Sequence, residues 1–261
     1  MSKENDSLIN RGDDTPSRPF QKILQPCMAE FLGVCLFVFV GCMTVQDPLG
    51  IAPAKTSPPS APAVALGHGF AIALLVVAFG NISGAHLNPA VTLGILLSGA
   101  ISPVMAAAYV VAQLTGAMVG AGFVRAVLPL QEFMAINGGA HILNAPVIGP
   151  GPGILCEILL TTVLVLTVLL SAVDDQNKSS LAPLAIGFAV TVCILAGINT
   201  TGASMNPARS FGPAVALSVY NSSVWTYHYV YWVGPLLGAM IAAIFYRIIF
   251  ACPEKRFFCK D

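Results

Sequence analysis

The sequence predicts an all-α membrane protein: six transmembrane helices and two re-entrant half-helices, arranged as an inverted internal repeat. Three observations predict it. Of the 261 residues, 56% are hydrophobic and only 9% charged, where a soluble domain carries about 25% charged residues; the solvent of such a chain is lipid. Six apolar segments, at 28–46, 63–82, 103–127, 154–172, 181–198 and 228–250, approach or exceed the roughly 20 residues that a helix needs to cross a bilayer. The polar stretch "NISGAHLNPAVTLG" (81–94) returns 118 positions later as "NTTGASMNPARSFG" (199–212).

Each element has its own signature. Residues 1–26 are polar and mixed in charge and lack the apolar core of a cleavable signal peptide, so the first span acts as its own signal. Pro/Ser-rich "PAKTSPPSAP" (53–62) is a loop ahead of the second span. The apolar piece 88–98, after the first polar stretch, is too short to cross and reads as a re-entrant half-helix. The third span carries "GAMVG" (116–120), small residues that let helices approach closely. Gly/Pro-rich residues 136–153 form the loop between the halves. Two further spans and a second half-helix, 206–217, then lead to the last span, which carries "GPLLG" (234–238). Trp225, Tyr227, Tyr229, Tyr231 and Trp232 cluster at its start, where an interfacial aromatic belt sits. The expected organisation is a cytosolic N-terminal segment (1–26), one membrane domain (27–250, repeat one 27–127 and repeat two 154–250) and a cytosolic tail (251–261).

Basic residues set the orientation. Lys3, Arg11, Arg18, Lys22, Lys178, Arg247, Lys255, Arg256 and Lys260, nine of the twelve, fall on one side of a six-span chain, with Lys55 and Arg125 opposite. The positive-inside tendency puts both termini in the cytosol, in the plasma membrane or an internal one. "RGD" at 11–13 is then out of reach of an adhesion partner, and of the Asn-x-Ser/Thr sequons only Asn221 faces outside. Zero formal charge offers no basic surface for nucleic acid. The seven cysteines lack zinc or redox spacing and read as small buried hydrophobes. No Ser/His/Asp grouping, metal-ligand cluster or phosphate-binding loop stands out, so neither an enzyme nor a cofactor or metal is expected.

The repeat extends beyond the polar stretches. "MAEFLGVCLFVFV" corresponds to "LCEILLTTVLVLT", pairing Glu30 with Glu157, and "YVVAQLTGAMVGA" to "YWVGPLLGAMIAA". Each half holds three spans, an odd number, so the second copy enters the membrane from the other side, and such repeats enclose a site near the midplane. Proline suits the first turn of a helix and asparagine the cap before it, so Asn88-Pro89-Ala90 and Asn206-Pro207-Ala208 begin half-helices that meet head to head. Each helix start carries about half a positive charge and unpaired N–H groups. Two such ends would repel cations, protons included, while the asparagine amides donate to a neutral solute. Glu30 and Glu157, buried carboxylates, are expected to accept hydrogen bonds from loop N–H groups. Arg209, inside a membrane segment, is expected to be functional.

On the paired "SGAHLNPAVTLG" and "GASMNPARSFGPA" the chain resembles the aquaporin family of major intrinsic proteins, over residues 27 to 250. The resemblance implies a homotetramer with one pore per subunit and a second constriction on the extracellular side. Counted from the two asparagines, that filter is His68, Ile194, Ala203 and Arg209. Histidine at the first position and an aliphatic residue at the second are similar to the aquaporin-8-type branch, which implies passage of water, ammonia and hydrogen peroxide. A glycerol- or urea-conducting aquaglyceroporin is the rival, weakened by Ser210, where those relatives usually carry aspartate. A secondary transporter would need coupling groups, and the spans hold almost no other ionisable residue. His68 titrates near neutrality when unperturbed, which suggests a pH effect on permeation. His86 is expected at the cytosolic mouth, and Cys42 and Cys193 as thiols sensitive to mercurials or oxidants.

Overall fold

The computed structural model describes residues 20–46, 60–253 and 256. The RGD tripeptide, Lys3, Arg11, Arg18, Lys55, Lys255, Lys260 and Cys259 lie outside them. Helices α1 (Gln25–Met43), α2 (Ala61–Ser83), α3 (Pro89–Ser98), α4 (Pro103–Val127), α5 (Leu130–Ala135), α6 (Pro150–Val168), α7 (Ala182–Gly197), α8 (Pro207–Ser218) and α9 (Val230–Phe245) follow in order, and no strand occurs among the described residues. Proline stands at the first or second position of α1, α2, α3, α4, α6, α7 and α8. There its missing N–H costs nothing and its fixed φ is already helical.

Helices that are apolar all round belong in lipid or in a large core, and here they do both. Leu74 on α2 is 70% exposed, and Val77, Val104, Val163 and Val192 stand out likewise. Among the described residues, five helical stretches are long and apolar enough to cross a membrane: Lys22–Met43, Ala61–Ser83, Pro103–Val127, Pro150–Val173 and Ser222–Phe250. The fifth expected span, 181–198, is the 16-residue α7. It rises about 24 Å, and turns closed by Ile198 N–H to Ile194 O and Thr201 N–H to Gly197 O carry the coil further. The aromatic belt needs one correction. Trp225 and Tyr229 are exposed, but Tyr231 is 1% exposed and its hydroxyl donates to Thr201 O at 2.9 Å, so it works inside the protein.

The packing repeats. α1 lies on α4 and α6 on α9, the same pair in each half, while α2 and α7 meet across the halves. Each half-helix leaves its own half: α3 packs on α9, and α8 on α4. The small-residue patterns make the close contacts. A Cβ on Gly116 or Gly120 would strike the Phe31 and Cys35 carbonyls, and one on Gly234 or Gly238 would strike Glu157 or the Ile158 carbonyl.

Candidate functional site

Two loops, 84–88 and 202–206, lead into the half-helices through backbone that few residues tolerate. Gly84, Ala85 and Leu87 have φ of 84°, 47° and 52°; Gly202, Ala203 and Met205 repeat them with 87°, 55° and 53°. A left-handed non-glycine residue costs on the order of 1–3 kcal/mol and persists only where its surroundings hold it. Here the holder is a carboxylate. Glu30, on α1, accepts from Ser83 Oγ (2.6 Å) and His86 N–H (2.9 Å) at Oε1, and from Leu87 N–H (2.7 Å) and Gln113 Nε2 (2.8 Å) at Oε2. Glu157, on α6, does the same with Thr201 Oγ1 (2.6 Å), Ser204 N–H (2.9 Å) and Met205 N–H (2.8 Å). Tyr109 and Tyr231 close the preceding helices alike, donating to Ser83 O (2.8 Å) and Thr201 O (2.9 Å).

The asparagines then cap the half-helices and join them. Asn88 Oδ1 accepts from Ala90 N–H at 2.7 Å, and Asn206 Oδ1 from Ala208 and Arg209 N–H at 3.0 and 3.2 Å. Each amide nitrogen reaches the other loop: Asn88 Nδ2 donates to Met205 O and Asn206 Nδ2 to Leu87 O, both at 2.9 Å. A primary amide has two N–H donors. One is used in this clasp, and both asparagines border the cavity. Pro89, Ala90, Pro207 and Ala208 are buried behind them.

That cavity, of about 620 Å³, continues past both asparagines. His68, Ile194, Ala203 and Arg209, the four positions expected to form the filter, all line it, and two of them, His68 and Arg209, are in direct contact. Arg209 Nε donates to His68 Nε2 at 3.1 Å and Nη1 to Gly139 O at 2.8 Å. His68 Nδ1 donates to Val64 O at 2.8 Å. The two bonds assign its tautomer, with the proton on Nδ1 and the Nε2 lone pair taken by Arg209. At the other end the lining includes His86, Ile101, Asp175 and Lys178. His86 stands 3.2 Å from Thr92 Oγ1 through Nδ1 and edge-on to the Tyr109 ring. The two thiols do not line the cavity: Cys193 donates to Leu160 O at 3.5 Å, and Cys42 lies behind Gly139, its Sγ 3.8 Å from that carbonyl oxygen.

Sequence reasoning missed the loop over the filter. Gly138 and Gly139 adopt φ of 59° and 73°, and a Cβ on Gly139 would fall 2.7 Å from Cys42 Sγ. The turn thereby delivers the Gly139 carbonyl to Arg209. His141 follows it into the cavity wall, Nδ1 at 2.9 Å from Ser210 Oγ. Burial first, and then the nearby Arg209 charge, pushes His141 well below the ordinary histidine range, so its ring is neutral at pH 7.

Against known proteins, residues 19–246 match the family Major intrinsic protein. The chain belongs to that family. It is 37% identical over 243 residues to Aquaporin-8 of Rattus norvegicus, covering 93% of this chain and 88% of the relative. It is 44% identical over 234 residues to a probable aquaporin, TIP1-2, of Oryza sativa subsp. japonica, covering 85% of each. Among solved structures, the aquaglyceroporin from Plasmodium falciparum matches with a TM-score of 0.74 at 26% identity, over 89% of this chain and 98% of that one. The protein is therefore an integral, multi-pass membrane channel for water and small solutes, and not an enzyme.

Proposed function

We propose that this chain is a passive channel for water that also passes ammonia and hydrogen peroxide and excludes protons and ions. The observation that carries the reading is the pair of clasped half-helix starts, Asn88 on Met205 O and Asn206 on Leu87 O. Each asparagine keeps a second N–H for a passing lone pair, and each helix start adds a partial positive charge that opposes cations. Glu30 and Glu157 bind N–H groups of the two loops, so those donors are not offered to the passage.

The filter supports the solute range. One part is polar: Arg209, held by His68 and the Gly139 carbonyl, with His141 beside it. The side chains of Ile194 and Ala203, which line the same cavity, offer only hydrocarbon. A small neutral acceptor finds donors at the polar part and is not required to form bonds with the rest. A cation meets a guanidinium in a medium of low dielectric. A second reading, passage of glycerol or urea, draws on the same apolar side chains and on the likeness to a solved aquaglyceroporin.

Stopped-flow on reconstituted vesicles, comparing water, ammonia, peroxide and glycerol for wild type and Ile194→His, tests both readings. The substitution puts a polar donor where hydrocarbon stood and is expected to narrow passage toward water. Unchanged ratios would remove Ile194 from the filter, and fast glycerol flux in the wild type would favour the second reading.

A further inference from the structure

The pairing of "YVVAQLTGAMVGA" (109–121) with "YWVGPLLGAMIAA" (231–243) continues outward to two more matches, Phe123 with Phe245 and Arg125 with Arg247. Each arginine stands where a half-helix of the other repeat ends. Arg247 Nη1 donates at 2.8 Å to the carbonyl of Ser98, the last residue of α3. Gly99 follows with φ of 86°, and a Cβ there would fall 3.2 Å from Arg247 Nη1, so the bare backbone leaves room for the guanidinium. The preceding carbonyls have local donors: Ile95 O takes Ala100 N–H (3.1 Å) and Ser98 Oγ (2.7 Å), and Leu96 O takes Gly99 N–H (3.0 Å). Arg125 reaches α8 indirectly. Its Nε donates to Tyr220 Oη at 2.9 Å, its guanidinium lies 5.6 Å from the Tyr220 and Phe133 ring centres, and Tyr220 N–H closes on Leu217 O at 2.8 Å.

The electrostatics give these arginines work. α3 and α8 point their positive ends at each other, an unfavourable meeting, and leave their negative ends at opposite faces of the protein. A cation near a helix end acts within the last turn, where the Arg247 guanidinium stands on the Ser98 carbonyl; Arg125 reaches the end of α8 only through the Tyr220 side chain. A ten-residue helix is about 15 Å long and stiff, so a hold on its far end also fixes the depth of its start. We infer that Arg247 is a positioning residue for conduction, balancing the negative end of α3 and holding that helix where Asn88 meets Met205 O, and that Arg125 serves α8 through Tyr220. The inference rests on the pore reading above.

The test uses the full chain in vesicles, with Arg247→Gln, Arg247→Lys and Tyr220→Phe. Amide hydrogen exchange is followed over residues 84–100 and 202–219, beside water permeability per channel. Arg247→Gln keeps a donor but loses the charge. It is expected to speed exchange over 84–100 about fivefold, the size of a helix-end charge effect, and to lower permeability, while Arg247→Lys stays near wild type in both. Tyr220→Phe is expected to speed exchange at the end of α8 alone, and it serves if the Gln variant does not fold. Gln and Lys behaving alike would overturn the charge role. Exchange unchanged in Arg247→Gln would overturn the hold on α3. Exchange needs no transport, so a wild-type chain that passes no water would sink the pore reading separately.

Discussion

At Glu30 and Glu157, two buried carboxylates hold loops that their own backbones would not keep, and their partners predict how each tolerates change. In Glu157→Gln an amide N–H₂ replaces an oxygen that faces the N–H of Ser204 or Met205, leaving donor against donor. The cost is about 1–3 kcal/mol, read as a lower thermal midpoint in detergent together with reduced water flux. Glu30→Gln meets the same clash at the N–H of Leu87 or His86 and is expected to cost about as much, because the extra donor beside it, Gln113, can adapt. Gln113 donates to both Glu30 and Thr92 Oγ1, and its own Oε1 has no hydrogen-bond partner, so turning its amide over would let it accept from the substituted amide and from Thr92. A larger loss in Glu30→Gln than in Glu157→Gln would show that Gln113 cannot turn. At this scale the sequence was readable where the repeat doubled a residue: each glutamate that accepts from a loop and each asparagine that caps a half-helix. His141, Gly139 and Gln113 were not readable. Position 113 faces proline at 235 in the repeat, and the loop residues reach the cavity only because the chain between the halves folds back over it.

Between elements, the segment after α6 is pinned to the end of the chain by one side chain. Asp174, fully buried, accepts from Gln176 N–H (3.1 Å), Asn177 N–H and Nδ2 (3.0 Å each), Tyr246 Oη (3.0 Å) and Cys252 N–H (3.3 Å). Burial alone would raise its carboxyl, but the hydrogen bonds from Tyr246, Asn177, Gln176 and Cys252 outweigh that and hold it below the ordinary carboxylate range. A carboxyl depressed on folding stabilises the fold above its unfolded value, near about pH 4, and the contribution disappears as pH falls through the folded value. Asp174→Asn is therefore expected to lower the thermal midpoint at neutral pH, with the gap to wild type closing below about pH 4. A gap that stays constant into acid would place the stabilisation elsewhere. Element order, half-helices and glycine contacts were legible from periodicity and spacing; this junction was not, because its partners lie 72 and 78 positions away and have no pattern in common.

In the whole molecule, the cross-packing of α3 on α9 and α8 on α4, with each asparagine bonded to the opposite loop, means that neither half is complete. A chain cut in the loop near residue 148 is expected to give two fragments that conduct only when made together, measured as water flux in vesicles from cells expressing one or both. Conduction by either fragment alone would contradict the shared clasp. An isolated ancestral half could have built the same passage only by inserting itself both ways up, in equal numbers, and finding a mate of the contrary heading. Joining the two copies in one polypeptide removes that search: every molecule leaves the ribosome carrying both headings in a ratio of one to one.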